Sequence, residues 1–111
     1  MIEHGQVCYL QLPTTDVEAS KAFYAGVFGW TVDDGTGFEA PGVIGQWITD
    51  RPVADAGPLL WIAVSDMDRT LAATTEHGGT HHTAPFPDGD ERTLAVVRDP
   101  SGTELGLASH P

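Results

Sequence analysis

Cysteine is almost absent from this chain. With Cys8 alone among 111 residues, no disulfide can form within the molecule. Stability must then come from packing, as in proteins of a reducing cytoplasm. Cations are scarce too: five Lys and Arg stand against 16 Asp and Glu, a formal charge of −11. That balance excludes nucleic acid as a partner, because phosphate contacts need cationic side chains. It disfavours anionic lipid for the same reason. No apolar run approaches the ~20 residues that cross a bilayer, and no basic-then-apolar leader opens the chain. The expected location is therefore the cytoplasm, away from the membrane. A glycine-rich phosphate loop, a nucleophile elbow and a paired-cysteine metal motif are missing as well.

What is present begins with residues 14–30, which carry the local signals of a capped amphipathic helix. Thr15 and Glu18 have capping-box spacing, and Asp16 sets negative charge at the positive end. Ala19, Ala22, Phe23 and Val27 recur in the helical rhythm. Gly29 can take the left-handed backbone that ends a helix. A strand over 7–12, closed by Pro13, leads in. The same pattern returns 50 residues later, with Leu10 on Leu60, Asp16 on Asp66, Ala22 on Ala72 and Gly29 on Gly79. Thr15 meets Ser65 and Glu18 meets Asp68, which rebuilds the capping box. A cap, a stop and a lead-in strand at one offset indicate an internal duplication.

Each half continues as strands after its helix. In the first half these are expected at 30–32, 38–40 and 43–49, in the second at 80–84, 93–97 and 104–108, with a turn-rich loop at 85–90. The second lead-in strand covers 59–64 and the second helix 66–77. Alternation puts Cys8, Leu10 and Leu12 under the first helix and Val7, Tyr9 and Gln11 on the opposite face. In the second copy Leu60, Ile62 and Val64 lie under the helix, and Leu59, Trp61 and Ala63 face away. The fold class is therefore α+β: a single domain over 1–111, with module one at about 5–50, a Pro-, Gly- and Asp-rich linker at 51–57 and module two at about 58–111. Pairing the halves gives one larger curved sheet with helices on its outer face. The inner face must be covered by a ligand, a partner chain, or both.

The runs Leu12-Pro13-Thr14-Thr15-Asp16, Ala22-Phe23-Tyr24, Val27-Phe28-Gly29-Trp30, Gly78-Gly79 and Val97-Arg98-Asp99-Pro100-Ser101-Gly102 resemble the vicinal oxygen chelate superfamily. That superfamily includes glyoxalase I, bleomycin-resistance proteins and extradiol dioxygenases. The resemblance implies tandem βαβββ modules, a curved mixed sheet around a cleft, and commonly a homodimer. It implies no single activity, since one fold hosts many functions. The metal enzymes of the superfamily hold a divalent ion at positions that fall here on Tyr9, Leu59 and Gly106; a fourth position, on the last strand of the first half, has no clear register. Leu and Gly offer no side-chain donor and Tyr is an uncommon ligand, so no metal or other cofactor is expected.

The chemistry left to the cleft is aromatic and polar. Tyr9 and Trp61 sit on repeat-related first strands, Gln11 accompanies Tyr9, and Trp47 joins them if its strand runs in matching register. The same rings would serve equally in the core or a dimer interface. Neighbours on a strand point to opposite faces, so only one of His81 and His82 enters the cleft. Which of the two does so stays open; His82 stands in the candidate set, with Glu104 in parity with Gly106. Tyr9, Gln11, Trp47, Trp61, His82 and Glu104 are the expected ligand-binding set. Two functions follow. One is a metal-free, antibiotic-sequestering type of small-molecule binder, whose ligand the acidic charge suggests is cationic or aromatic. The alternative is an enzyme of lyase, isomerase or dioxygenase type, using a relocated metal or acid–base chemistry.

Overall fold

Two aspartates start the two helices in the computed structural model, which describes residues 3–54 and 57–110. Asp16 accepts the Ala19 backbone N–H at 3.1 Å to open α1 (Val17–Phe28), and Asp66 accepts that of Arg69 at 3.0 Å to open α2 (Met67–Glu76). The capping boxes expected of Thr15 with Glu18 and Ser65 with Asp68 are not formed. A carboxylate already fills the cap, and Glu18 and Asp68 serve as negative charge in the first turn, with Glu18 Oε1 also 3.7 Å from Lys21 Nζ. Gly29 ends α1 at φ 72°. The second helix stops earlier than the repeat implies: its C-cap is His77, and Gly78, not Gly79, takes positive φ. Gly79 is instead buried where a Cβ would strike Phe23, Thr74 and the Arg98 carbonyl.

The strands are β1 (Tyr9–Pro13), β2 (Thr31–Val32), β3 (Gly37–Ala40) and β4 (Val43–Ile48), then β5 (Leu60–Ala63), β6 (Thr80–Asp88), β7 (Arg92–Arg98) and β8 (Glu104–Ser109). They form two four-stranded sheets, ordered β1-β4-β3-β2 and β5-β8-β7-β6. In each sheet the lead-in strand pairs in parallel and the remaining pairs are antiparallel. The chain is thus two βαβββ modules, as read from the repeat. The single larger sheet expected from pairing the halves is instead two sheets, because no ladder joins β1 to β5.

Local differences have local causes. The segment 85–90, expected as a loop, mostly extends β6 through Pro85 and Pro87. An edge strand tolerates missing N–H donors, and the register shifts after His81 and Thr83 absorb the irregularity. Val7 and Cys8 precede β1 and are exposed, so Cys8 is not the core residue its parity suggested. Of the expected linker, residues 55 and 56 lie outside the described residues; its flanks form neither helix nor strand.

Register decides which side chains meet. Leu12 pairs with Trp47, and Leu10 with Gly45, itself opposite Phe38, so all five positions share the face under α1. There Tyr24 stacks on Trp30 at 4.7 Å, Trp30 on Phe38 at 5.0 Å, and Phe38 tilts against Trp47 at 4.7 Å. Each such pair adds about 0.5–1.5 kcal/mol beyond its buried area. In module two the same layer is aliphatic: Val97, Leu105 and Leu107 are fully buried.

One polar joint ties the modules. The Tyr24 hydroxyl, on α1, donates to Asp99 Oδ2 at 2.8 Å, while Asp99 Oδ1 accepts the N–H groups of Ser101 and Thr103 at 2.9 and 3.0 Å. Ser101 Oγ lies 3.1 Å from Thr14 Oγ1 and accepts the Thr15 N–H at 3.1 Å. Burial pushes the Asp99 carboxyl above its ordinary value, although the bonds from Tyr24 and the backbone pull it down. A carboxyl raised on folding favours the native state most fully below its unfolded pKa. That contribution is lost as pH rises through the folded pKa. Asp99→Asn keeps an oxygen for the two backbone donors and cannot ionise. We expect urea denaturation of this variant to lack the Asp99-linked fall in stability between the ordinary carboxylate range and neutral pH. Parallel pH profiles of parent and variant would contradict the assignment.

Candidate functional site

The faces turned away from the helices carry the remaining chemistry. In module one this face bears Tyr9, Gln11, Ile44 and Gln46, since Tyr9 pairs with Ile44 and Gln11 with Gln46. In module two Trp61 pairs with Gly106, Gly106 with Val96, and Glu104 with Arg98. Tyr9 and Trp61 are each 48% exposed and Ile44 53%, so large apolar groups stand in solvent on both inner faces. Where β1 and β5 run as free edges, a cavity of about 340 Å³ opens between the modules, walled by Gln11, Pro13, Pro58, Leu59, Thr103 and Glu104. That is near the small end of ligand pockets.

The polar centre of this face is a cluster on β6, β7 and β8. Glu104 Oε1 accepts Arg98 Nη2 at 3.1 Å and lies 3.2 Å from His82 Nε2. His82 is thus the inward histidine. Its neighbour His81 turns to α2, with Nε2 2.9 Å from the Leu71 carbonyl and 3.2 Å from Thr75 Oγ1. Arg98 was missed in the sequence, where it reads only as part of the Asp-Pro turn motif. Its parity with Leu94 and Val96 on β7 is the signal that could have found it.

Five of the six expected ligand-binding residues lie on the inner face: Tyr9, Gln11, Trp61, His82 and Glu104. The cavity wall itself brings together only Gln11 and Glu104. Trp47 does not belong. Its pairing with Leu12 turns it under α1, where it is 2% exposed and its Nε1 finds no hydrogen-bond partner.

The residues present do not suit a divalent metal. Register now locates the fourth ligand position: under the 50-residue offset Trp61 corresponds to Gln11, so Gln46 is the counterpart of Gly106. Tyr9, Gln46, Leu59 and Gly106 supply a phenol and a carboxamide at most, a poor donor set for a divalent ion. Gly106 also has no room for a side chain, because a Cβ there would overlap the six-membered ring of Trp61. Among the described residues no group of three or more His, Cys, Asp or Glu is placed to hold an ion.

Comparison with known proteins fits this architecture. The family model of the Glyoxalase/Bleomycin resistance protein/Dioxygenase superfamily matches residues 6–107. The chain belongs to this superfamily. A glyoxylase-like domain-containing protein of Didymella fabae is 33% identical, with 90% of this chain and 98% of that protein aligned. CFP32 of Mycobacterium bovis, a glyoxylase candidate by name, is 30% identical over 93% of this chain, which spans only 45% of that protein's length. Among solved structures, TnmS3, an antibiotic-binding protein from Streptomyces sp. CB03234, superposes over the whole of both chains with a TM-score of 0.75 at 18% identity. That likeness is one of fold. No helix among the described residues of this superfamily member is long and apolar enough to cross a membrane.

The Trp61–Gly106 contact yields a direct prediction. Gly106→Ala should lift the indole off β8, shift tryptophan emission to the red and cost ~1–3 kcal/mol of stability. Because Trp30 and Trp47 are buried, a red-shifted component reports Trp61. An unchanged spectrum in a folded variant would contradict the packing.

Proposed function

We propose that this protein binds a planar small organic molecule on its inner faces without a metal ion. The observation that carries the reading is the half-exposed indole of Trp61 lying over Gly106, where the superfamily's metal enzymes would place a carboxylate. An aromatic face open to solvent offers stacking to a flat ligand. Gln11, His82, Arg98 and Glu104 offer polar contacts around it. The fold of an antibiotic-binding protein supports the same class of role, and sequestration of such a compound is the form it takes here. The family's cofactor plays no part in it.

The binding unit is a homodimer. Tyr9, Ile44, Trp61 and Phe86 leave more large apolar surface on the inner faces than single scattered residues would. A second copy would cover part of it and narrow the cleft around a ligand.

A second reading rests on His82 Nε2 standing 3.2 Å from Glu104 Oε1. A carboxylate so placed can orient an imidazole for proton transfer. Metal-free acid–base catalysis on a bound small molecule is therefore the alternative activity.

Titration with a panel of planar aromatic compounds, followed by tryptophan fluorescence, tests the first reading. We expect saturable quenching that Trp61→Leu abolishes, with substoichiometric metal in the purified protein and a dimeric mass by light scattering. Stoichiometric bound metal, or quenching unaffected by Trp61→Leu, would overturn it. Turnover of a bound compound that His82→Ala abolishes would favour the second reading.

A further inference from the structure

The hydrogen-bonding capacity left over in the polar cluster specifies the ligand's charge. Glu104 meets both of its partners through the same oxygen, Oε1, which leaves Oε2 as an acceptor with no protein donor among the described residues. Arg98 spends one N–H on that contact, at a side chain 42% exposed, and the rest of its guanidinium fork has no other protein acceptor among the described residues. A guanidinium donates through all its N–H groups and accepts through none. More guanidinium N–H groups of Arg98 remain than the one free carboxylate oxygen of Glu104 can accept, so the surplus at the centre of the inner face is of donors and favours an oxygen that accepts. Other charges on this face do not reverse the balance. Arg92 and Asp88, at the far end of β7 and β6, pair with each other at 2.6 Å. Glu39 sits on β3 of the other module, opposite Ile44.

We infer that the inner face selects planar ligands bearing an anionic oxygen, a carboxylate or phenolate, which docks on Arg98 beside His82 while the ring system lies toward Trp61. The inference rests on the small-molecule-binding reading above and sharpens it. It also reverses the sign that net charge suggests. The charge of −11 is spread over the whole molecule and is screened beyond about 8 Å at physiological ionic strength. A direct contact to a guanidinium fork acts within that distance and is frequently bidentate with a carboxylate.

Three probes with one ring system separate ring from charge: 2-naphthoate, 2-naphthamide and 2-naphthylmethylammonium, each titrated against Trp61 fluorescence. We expect 2-naphthoate to bind about tenfold more tightly than the ammonium probe, the scale of one charge-assisted contact. Arg98→Met, which keeps an apolar stem, should remove that preference. Glu104→Gln, which frees the guanidinium and deletes the competing charge, should strengthen naphthoate binding. Opposite effects from two partly exposed side chains cannot both arise from loss of folding. Equal binding of all three probes, tighter binding of the ammonium probe, or a naphthoate preference that survives Arg98→Met would overturn the inference while leaving the binding role intact. If none of the three perturbs Trp61, the binding role falls and the inference with it.

Discussion

A phenol hydroxyl from one repeat and a carboxylate from the other meet in the interior, and the relative placement of the two sheets depends on that meeting. Tyr24 and Asp99 are 75 residues apart in sequence and 2.8 Å apart in space. Both are buried, so leaving either without its partner would cost about 1–3 kcal/mol. The loop amides of Ser101 and Thr103 hold the other carboxylate oxygen, which fixes the β7–β8 turn against the start of α1. Since β1 and β5 share no ladder, this joint and the packing of α1 on α2 govern how the inner faces sit across the cavity.

The duplication is symmetric in backbone and asymmetric in chemistry. At the position corresponding to Tyr24, α2 carries Thr74, whose hydroxyl donates back to the Thr70 carbonyl within its own helix. The polar joint is therefore made once, not twice. Apart from Tyr9, module one spends its aromatics in the layer at α1, in the run Tyr24, Trp30, Phe38 and Trp47. Module two packs that layer with aliphatics and sends Trp61, His82, Arg98 and Glu104 to the inner face.

Much of this was legible in the sequence, for identifiable reasons. The acidic helix starts around Asp16 and Asp66, the stop at Gly29 and the alternation of Leu10 and Leu12 are local signals, and they located the helices and the lead-in strands, although the capping-box pattern puts the caps one residue early, at Thr15 and Ser65. Strand pairing is not local. Trp47 reads equally as a cleft or a core residue until its register with Leu12 is known, and one step of register turns a side chain to the opposite face. Arg98 hid within a turn motif, although its parity on β7 puts it beside Glu104. The split of the expected single sheet was illegible, because nothing local to β1 or β5 states whether two edges pair. Pro85 and Pro87 suggested a loop by composition, and only edge position explains their place in β6.

The claim that Tyr24 and Asp99 lock the modules together is open to a double-mutant cycle. Unfolding free energies of the parent, Tyr24→Phe, Asp99→Ala and the double variant give the coupling between the two side chains directly. The structure predicts a favourable coupling of about 1.5–3 kcal/mol, the range of a hydrogen bond to a charged group. Additive losses from the two substitutions would contradict it.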